Sequence, residues 1–363
     1  TEIYTLSLHD ALPISSPSAR PARRELALSA GTRLLKGRRT CARASGPILA
    51  AHPAAEQSSV RRTISIAMFP PFLADIKSMK MTIKTYYTMP KPGEATEKVS
   101  CPVCGRAEAL LHWDCGSFRF SRCAGCGHIY QNPRPVAAAL SERYDDGYKQ
   151  YEIESADAFL KLMLLGLEDL GFETIEASLP REKAFLDVGC ATGALVGSMA
   201  ERGWRAVGVE LNEGAARYGK ERRGVDIRTG TLEDAAFPDG SFDLVHSSHF
   251  IEHVAEPGAY LEEVARILKP GGWCVTVTPT VDGLQARLFG KNWRSAIADH
   301  VHLFSARGLI RLASDKGFDT LKLKTWGGMA QGLAPMPIKR FLDRAAKRWG
   351  FGDVMAILSR KSP

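Results

Sequence analysis

An α/β fold built on a parallel sheet is predicted by three observations. Phe185-Leu186-Asp187-Val188 is an apolar strand that runs into the small residues Gly189, Ala191 and Gly193, then into a helical apolar spacing at Leu195, Val196 and Met199. Twenty-three positions after Asp187, a second apolar run at 206–209 ends in Glu210. Further apolar runs at 242–245 and 273–278 alternate with helical stretches. Small residues at 189, 191 and 193 let a turn approach a ligand that a Cβ would obstruct. Alanine serves at 191 provided its φ stays negative. An acid ending the next strand accepts both hydroxyls of a ribose, so the two segments describe a nucleoside-binding site. A dinucleotide fingerprint would space its glycines Gly-x-Gly-x-x-Gly. Here they fall at i, i+2 and i+4 behind Asp187, a carboxylate that repels phosphate and suits a cationic ligand.

Further blocks follow in order: Gly230-Thr231-Leu232-Glu233-Asp234, Ser241-Phe242-Asp243-Leu244-Val245, Ile251-Glu252-His253-Val254 and Leu268-Lys269-Pro270-Gly271-Gly272. With these blocks, 185–325 resembles the class I S-adenosylmethionine-dependent methyltransferases. The resemblance implies a Rossmann-like seven-stranded sheet with an antiparallel last strand, and S-adenosyl-L-methionine as cofactor. It implies that Asp187 and Gly189 hold the methionine portion, that Glu210 holds the ribose, and that the adenine meets Leu232 and Glu233. Cys190, Ala191, Gly193, Leu211 and His249 complete the expected cofactor set. The runs 320–325 and 354–359 read as the last two strands, an antiparallel hairpin at one sheet edge. Between them, the insertion 327–351 carries a basic amphipathic helix at 336–349, with Ile338, Phe341, Leu342 and Ala345 opposite Lys339, Arg340, Arg344, Lys347 and Arg348. Such a helix covers a core, or makes weak contact with a membrane surface or an acidic substrate.

Ahead of the α/β region, Cys101-Pro-Val-Cys104 and Cys123-Ala-Gly-Cys126 form two knuckles separated by 18 residues. This is the spacing of a four-thiolate structural zinc site, with short strands expected at 109–113 and 117–122. Four thiolates leave no open coordination position, so catalysis at this metal is excluded, and neither Cys115 nor His128 is needed as a ligand. The ribbon, 98–135, carries a net charge of only +3 and lacks a basic stripe interleaved with aromatics, which disfavours nucleic acid without excluding it. A bridge over 136–180 follows, containing Tyr144, Tyr148 as a lid contributor, and a helix at 158–170. The methyltransferase region is expected over 181–363. Ribbon, bridge and methyltransferase together resemble bacterial enzymes of sugar and secondary-metabolite pathways.

The chain of 363 residues has a formal charge of +8, of which +6 falls before position 68. That leader, 1–80, is expected to be disordered and without function. Residues 1–14 resemble a translated sequencing adapter, and a natural start is expected at Met68, Met79 or Met81. No run reaches the roughly 18 apolar residues of a membrane span. With half of the eight cysteines in a metal pattern, a reducing cytoplasm is the expected compartment.

Histidines supply the candidate bases. His302 and His249 rank first, followed by His300; His246 and His253 occupy the same neighbourhood. The segment Ser247-Ser248-His249-Phe250 is neither the Pro-Pro-aromatic pattern of nucleobase-amine methylation nor a Pro-Cys nucleophile. The expected acceptor is a small molecule, such as a sugar nucleotide or a quinone-like metabolite, with O-, N- and C-methylation all open. The rival readings are a ribosomal RNA or protein methyltransferase with the ribbon as reader, and a non-catalytic nucleoside-binding scaffold.

Overall fold

Apolar strands that are buried on both faces place successive side chains in two different cores, and 184–278 does this. The computed structural model describes residues 90, 93–141, 143, 146–330 and 335–362; the leader expected over 1–80 and Tyr144 lie outside them. The ribbon contributes β1 (Thr96–Glu97), β2 (Ala109–Asp114), β3 (Arg119–Cys123), β4 (Ile129–Gln131) and β5 (Arg134–Pro135). Helices α1 (Ala137–Ser141), α2 (Asp146–Leu170) and α3 (Phe172–Ser178) lead into β6 (Ala184–Val188), α4 (Ala194–Glu201), β7 (Arg205–Glu210), α5 (Glu213–Tyr218) and β8 (Asp226–Thr229). Next come β9 (Phe242–Ser248), α6 (Pro257–Ile267), β10 (Leu268–Pro279), α7 (Leu284–Phe289) and β11 (His302–Leu303). The chain closes with α8 (Ala306–Asp315), β12 (Phe318–Trp326), α9 (Met336–Trp349) and β13 (Val354–Lys361).

The main sheet has seven strands in the order β12-β13-β10-β9-β6-β7-β8. Strands β6 to β10 run parallel, and β13, the last in sequence, inserts antiparallel between β10 and β12. Leu186, Val188 and Val245 pack on Tyr260, Leu261 and Val264 of α6 and Leu309 and Leu312 of α8. Their neighbours Phe185 and Leu244 face the other side, against Leu167 and Leu170 of α2 and Leu195 and Met199 of α4. Helix α2 begins well before the expected 158–170. Its first turns are polar and carry no apolar stripe, yet Tyr148, Tyr151 and Ile153 are half-buried and Ala156 is buried, so packing extends the helix.

The ribbon is not a free-standing module. Its four-stranded sheet, β11-β4-β3-β2, takes its outer strand from the α/β region: His302 pairs with Tyr130 and Leu303 with Ile129. The buried Arg134 guanidinium donates to Glu97, to Glu256 and to the Ala255 carbonyl. Arg143 likewise joins Glu94 to Asp299 and to the Ala298 carbonyl. One compact unit results.

Helix α9 spans the expected residues, but its faces differ from the amphipathic reading. Lys339 is buried beside Ala345 and Ala346, whereas Phe341 is 64% exposed. Asp343 explains the buried lysine: it accepts the Lys339 ammonium at 2.6 Å and the backbone N–H groups of Gly328 and Met329. Among the described residues, no helix is long and apolar enough to cross a membrane.

Candidate active site

The expected cofactor residues gather where β6, β7 and β9 end, the side on which a parallel sheet leaves its ligand crevice. In the turn after β6, Gly189, Ala191 and Gly193 all have left-handed backbone, with φ of 72°, 48° and 69°. The expectation of a negative φ at Ala191 is therefore corrected. The turn is pinned by Gly189 and Cys190 N–H groups donating to the Val209 carbonyl, and this demands the curl. A Cβ at Gly189 would lie 2.7 Å from the Phe250 ring, so the crevice floor is closed by the segment after β9.

Glu210 ends β7 almost fully buried and holds the turn from below. Its Oε2 accepts from Ala191 N at 2.9 Å and its Oε1 from Asn212 N at 2.7 Å. Burial pushes its carboxyl up, the N–H groups of Asn212 and Ala191 pull it down, and nearby Asp187 raises it again, to about 7. A carboxylate has four lone-pair sites, so two remain for ribose hydroxyls. Asp187 is buried as well, with Oδ1 2.7 Å from His246 Nδ1.

The side chains of four expected cofactor residues take different surroundings. The Cys190 thiol packs with Val196 and against Gly208, so its side chain turns away from the crevice. Leu232 belongs to the core beneath the sheet, because the turn after β8 directs its side chain inward. Glu233 and Leu211 are exposed, and Asp234 caps its own turn through Thr231.

The histidines separate sharply. His249 has a left-handed backbone (φ 51°) held by its N–H on the Val277 carbonyl, and its ring is 27% exposed. Its Nδ1 lies 3.2 Å from Oε1 of the buried Glu252, whose Oε2 accepts from Thr278 Oγ1 at 2.9 Å. Burial pushes the Glu252 carboxyl up. The hydrogen bond from His249 and the imidazoles of His249, His253 and His300 outweigh this and bring it down to about 2. An ionised acid holding Nδ1–H orients the imidazole with Nε2 as its basic nitrogen. Glu252, read from sequence beside a helix start, was not among the candidate site residues; its spacing three positions after His249 was the available signal.

His302, ranked first by sequence, is corrected. It is fully buried, with Nδ1 3.0 Å from His128 Nε2 and Nε2 2.9 Å from the Val254 carbonyl, so neither nitrogen faces an acceptor. His300 is also buried, with Nδ1 on the Ser295 carbonyl at 2.9 Å. Its Nε2 has no hydrogen-bond partner among the described residues and lies, with the ligand atoms of Glu252 and His253, in a cluster spanning at most 4.8 Å. Such a set has the composition to hold a divalent cation, and it gives His300 no open path to an acceptor. His246 is sequestered by Asp187.

The sulfurs of Cys101, Cys104, Cys123 and Cys126 all lie within 4.8 Å of one another, with Cys101–Cys126 and Cys104–Cys123 at 3.5 Å. A tetrahedral zinc thiolate site has sulfurs about 3.8 Å apart, so the cluster is compatible with a zinc ribbon. Gly125 N donates to Cys123 Sγ at 3.3 Å. Cys115 lies instead near the Lys291 carbonyl.

A seven-stranded sheet with a reversed last strand, a glycine turn after β6 and an acid closing β7 define a class I S-adenosylmethionine-dependent methyltransferase. A family model described as a methyltransferase domain matches residues 164–323. The ubiquinone biosynthesis O-methyltransferase of Ruegeria pomeroyi is 39% identical over 197 residues, covering 51% of this chain and 72% of that protein. The proteins of that name from Cereibacter sphaeroides (36% identical, 30% of this chain) and Thiobacillus denitrificans (29% identical, 39% of this chain) are matched over 47% and 66% of their own lengths. A solved S-adenosylmethionine-dependent methyltransferase from Thermotoga maritima aligns over 61% of this chain and 98% of its own, at 22% identity and a TM-score of 0.44. The chain belongs to the S-adenosylmethionine-dependent methyltransferase family.

Proposed function

We propose that this chain methylates a hydroxyl of a small organic acceptor, with His249 as general base and Glu252 as its orienting acid. The His249–Glu252 pair carries the reading: it joins a partly exposed imidazole by a hydrogen bond to a buried, ionised carboxylate. The O-methyltransferase name of the relatives supports a hydroxyl acceptor. The curled turn around Gly189 and the Glu210 carboxylate fit the methionine portion and the ribose of S-adenosyl-L-methionine. When bound, that cofactor supplies a methyl group activated by a sulfonium. His249 Nε2 takes the acceptor's hydroxyl proton, and Glu252 stabilises the imidazolium that forms. Zinc is assigned to the four cysteines as a structural ion that fixes the ribbon against β11.

The test is label transfer by full-length, zinc-loaded protein from methyl-labelled S-adenosylmethionine to phenolic, quinol and sugar-nucleotide acceptors, beside His249→Ala. Transfer to an organic hydroxyl that falls by about 100-fold or more in the variant, with cofactor binding retained, supports the proposal. Transfer confined to RNA or protein, or indifferent to His249→Ala, overturns it.

A further inference from the structure

We infer that the outward face of α9 docks on a lipid membrane bearing anionic phosphate headgroups. The helix carries Lys339, Arg340, Arg344, Lys347 and Arg348 against a single acid, Asp343. That acid is used inside the fold, by the buried Lys339 and by two backbone N–H groups. Lys347 pairs with Asp169 at 2.7 Å. Arg340, Arg344 and Arg348 remain: exposed, spaced i, i+4 and i+8 so that they form one stripe, and outside every ion pair among the described residues.

Exposed large apolar side chains share the helix with this stripe. Phe341 and Trp349 are 64% and 65% exposed, and Ile338 and Met336 also reach the surface. Exposed aromatic groups beside arginines that lie outside any ion pair mark a candidate contact surface. A bilayer surface satisfies both sets together: guanidinium forks pair with headgroup phosphates, and the aromatic and aliphatic groups enter the boundary beneath them. Nucleic acid or an acidic peptide matches the charge and leaves Ile338 and Met336 in water. The placement is independent of the site chemistry, because α9 lies in the insertion between β12 and β13.

Sedimentation of full-length protein with phosphatidylcholine vesicles, with and without phosphatidylglycerol, tests the inference. Partition is expected onto the anionic vesicles only and should weaken with salt. Each of Arg340→Ala, Arg344→Ala and Arg348→Ala should lower it about fivefold. Phe341→Ser should lower it as well, and Trp349→Phe should remove a vesicle-induced blue shift of fluorescence. These residues are exposed, so unchanged cofactor binding serves as the folding control. Failure to partition at low salt overturns the inference. So does partition that survives the triple arginine variant, or partition insensitive to Phe341→Ser, which would mark a general polyanion surface. A dimer that Phe341→Ser dissociates would make a second copy of the chain the occupant instead.

Discussion

His128 Nε2 meets His302 Nδ1 at 3.0 Å inside the buried seam between the cysteine ribbon and the α/β sheet. The Val254 carbonyl can only accept, so His302 Nε2 carries the proton and Nδ1 accepts from His128 N–H. Burial pushes His302 down to about 4, which keeps the pair neutral at physiological pH. His302→Leu would leave a buried donor and a buried acceptor without partners. A loss of about 2 kcal/mol or more is expected in urea unfolding, with methyl transfer per folded molecule little changed. A catalytic His302 would show the reverse pattern.

Beside that pair, the buried Gln131 amide donates to the Ala298 and His300 carbonyls at 2.8 and 2.9 Å and reaches Ile297 O at 3.3 Å. The ribbon thereby holds the loop that carries His300. The proposed zinc predicts that a chelator speeds hydrogen exchange at Gln131, whose N–H donates to the Val301 carbonyl, and throughout β3 and β4. Gln131→Ala should speed exchange around 297–302 while leaving the knuckles protected. Equal protection with and without metal would remove the ion from any structural role.

The Glu210 carboxyl, raised to about 7, makes cofactor affinity depend on pH. Below that value it holds a proton and offers fewer lone pairs to the ribose hydroxyls; above it, the ionised form accepts both. Affinity for S-adenosyl-L-methionine measured by calorimetry should therefore rise from pH ~5 to pH 7, by up to about tenfold per pH unit, then level off. Glu210→Gln should bind more weakly and without that slope. A flat profile in the unaltered protein would mean that the acid is not in the ribose contact.

The sheet and the four-cysteine cluster were legible because both rest on local pattern. Strands buried on two faces write themselves as apolar runs, and two knuckles need only their own spacing. Sequence ranked His302 and His249 together, because what separates these histidines is distant. His302 is taken by His128, 174 positions away, and His249 is distinguished by exposure and by the charge state of Glu252. Helix α9 departs from its reading at Lys339, which is buried, and at Phe341, which is exposed, for the same reason. A lysine buries only where an acid such as Asp343, itself anchored by Gly328 and Met329, awaits it.

Ala191 and Gly193 share one turn and one backbone region, yet opposite outcomes are expected on exchanging their side chains. Left-handed backbone costs an alanine about 1 kcal/mol, and Ala191 bears this at φ 48°. Ala191→Gly removes the strain but adds roughly 0.4–1 kcal/mol of unfolded-chain entropy, so stability should be unchanged or slightly raised. Gly193→Ala meets the same backbone cost at φ 69°, and its Cβ would lie 2.7 Å from Val225 Cγ2 and 2.9 Å from Ile227 Cδ1, both buried. Overpacking adds about 1–3 kcal/mol, so a total loss of about 3 kcal/mol is expected in urea unfolding, with weaker cofactor binding because α4 starts at this point. If the two variants proved equally stable, Gly193 would not be wedged against β8, and the turn would owe its shape to the Glu210 and Val209 contacts alone.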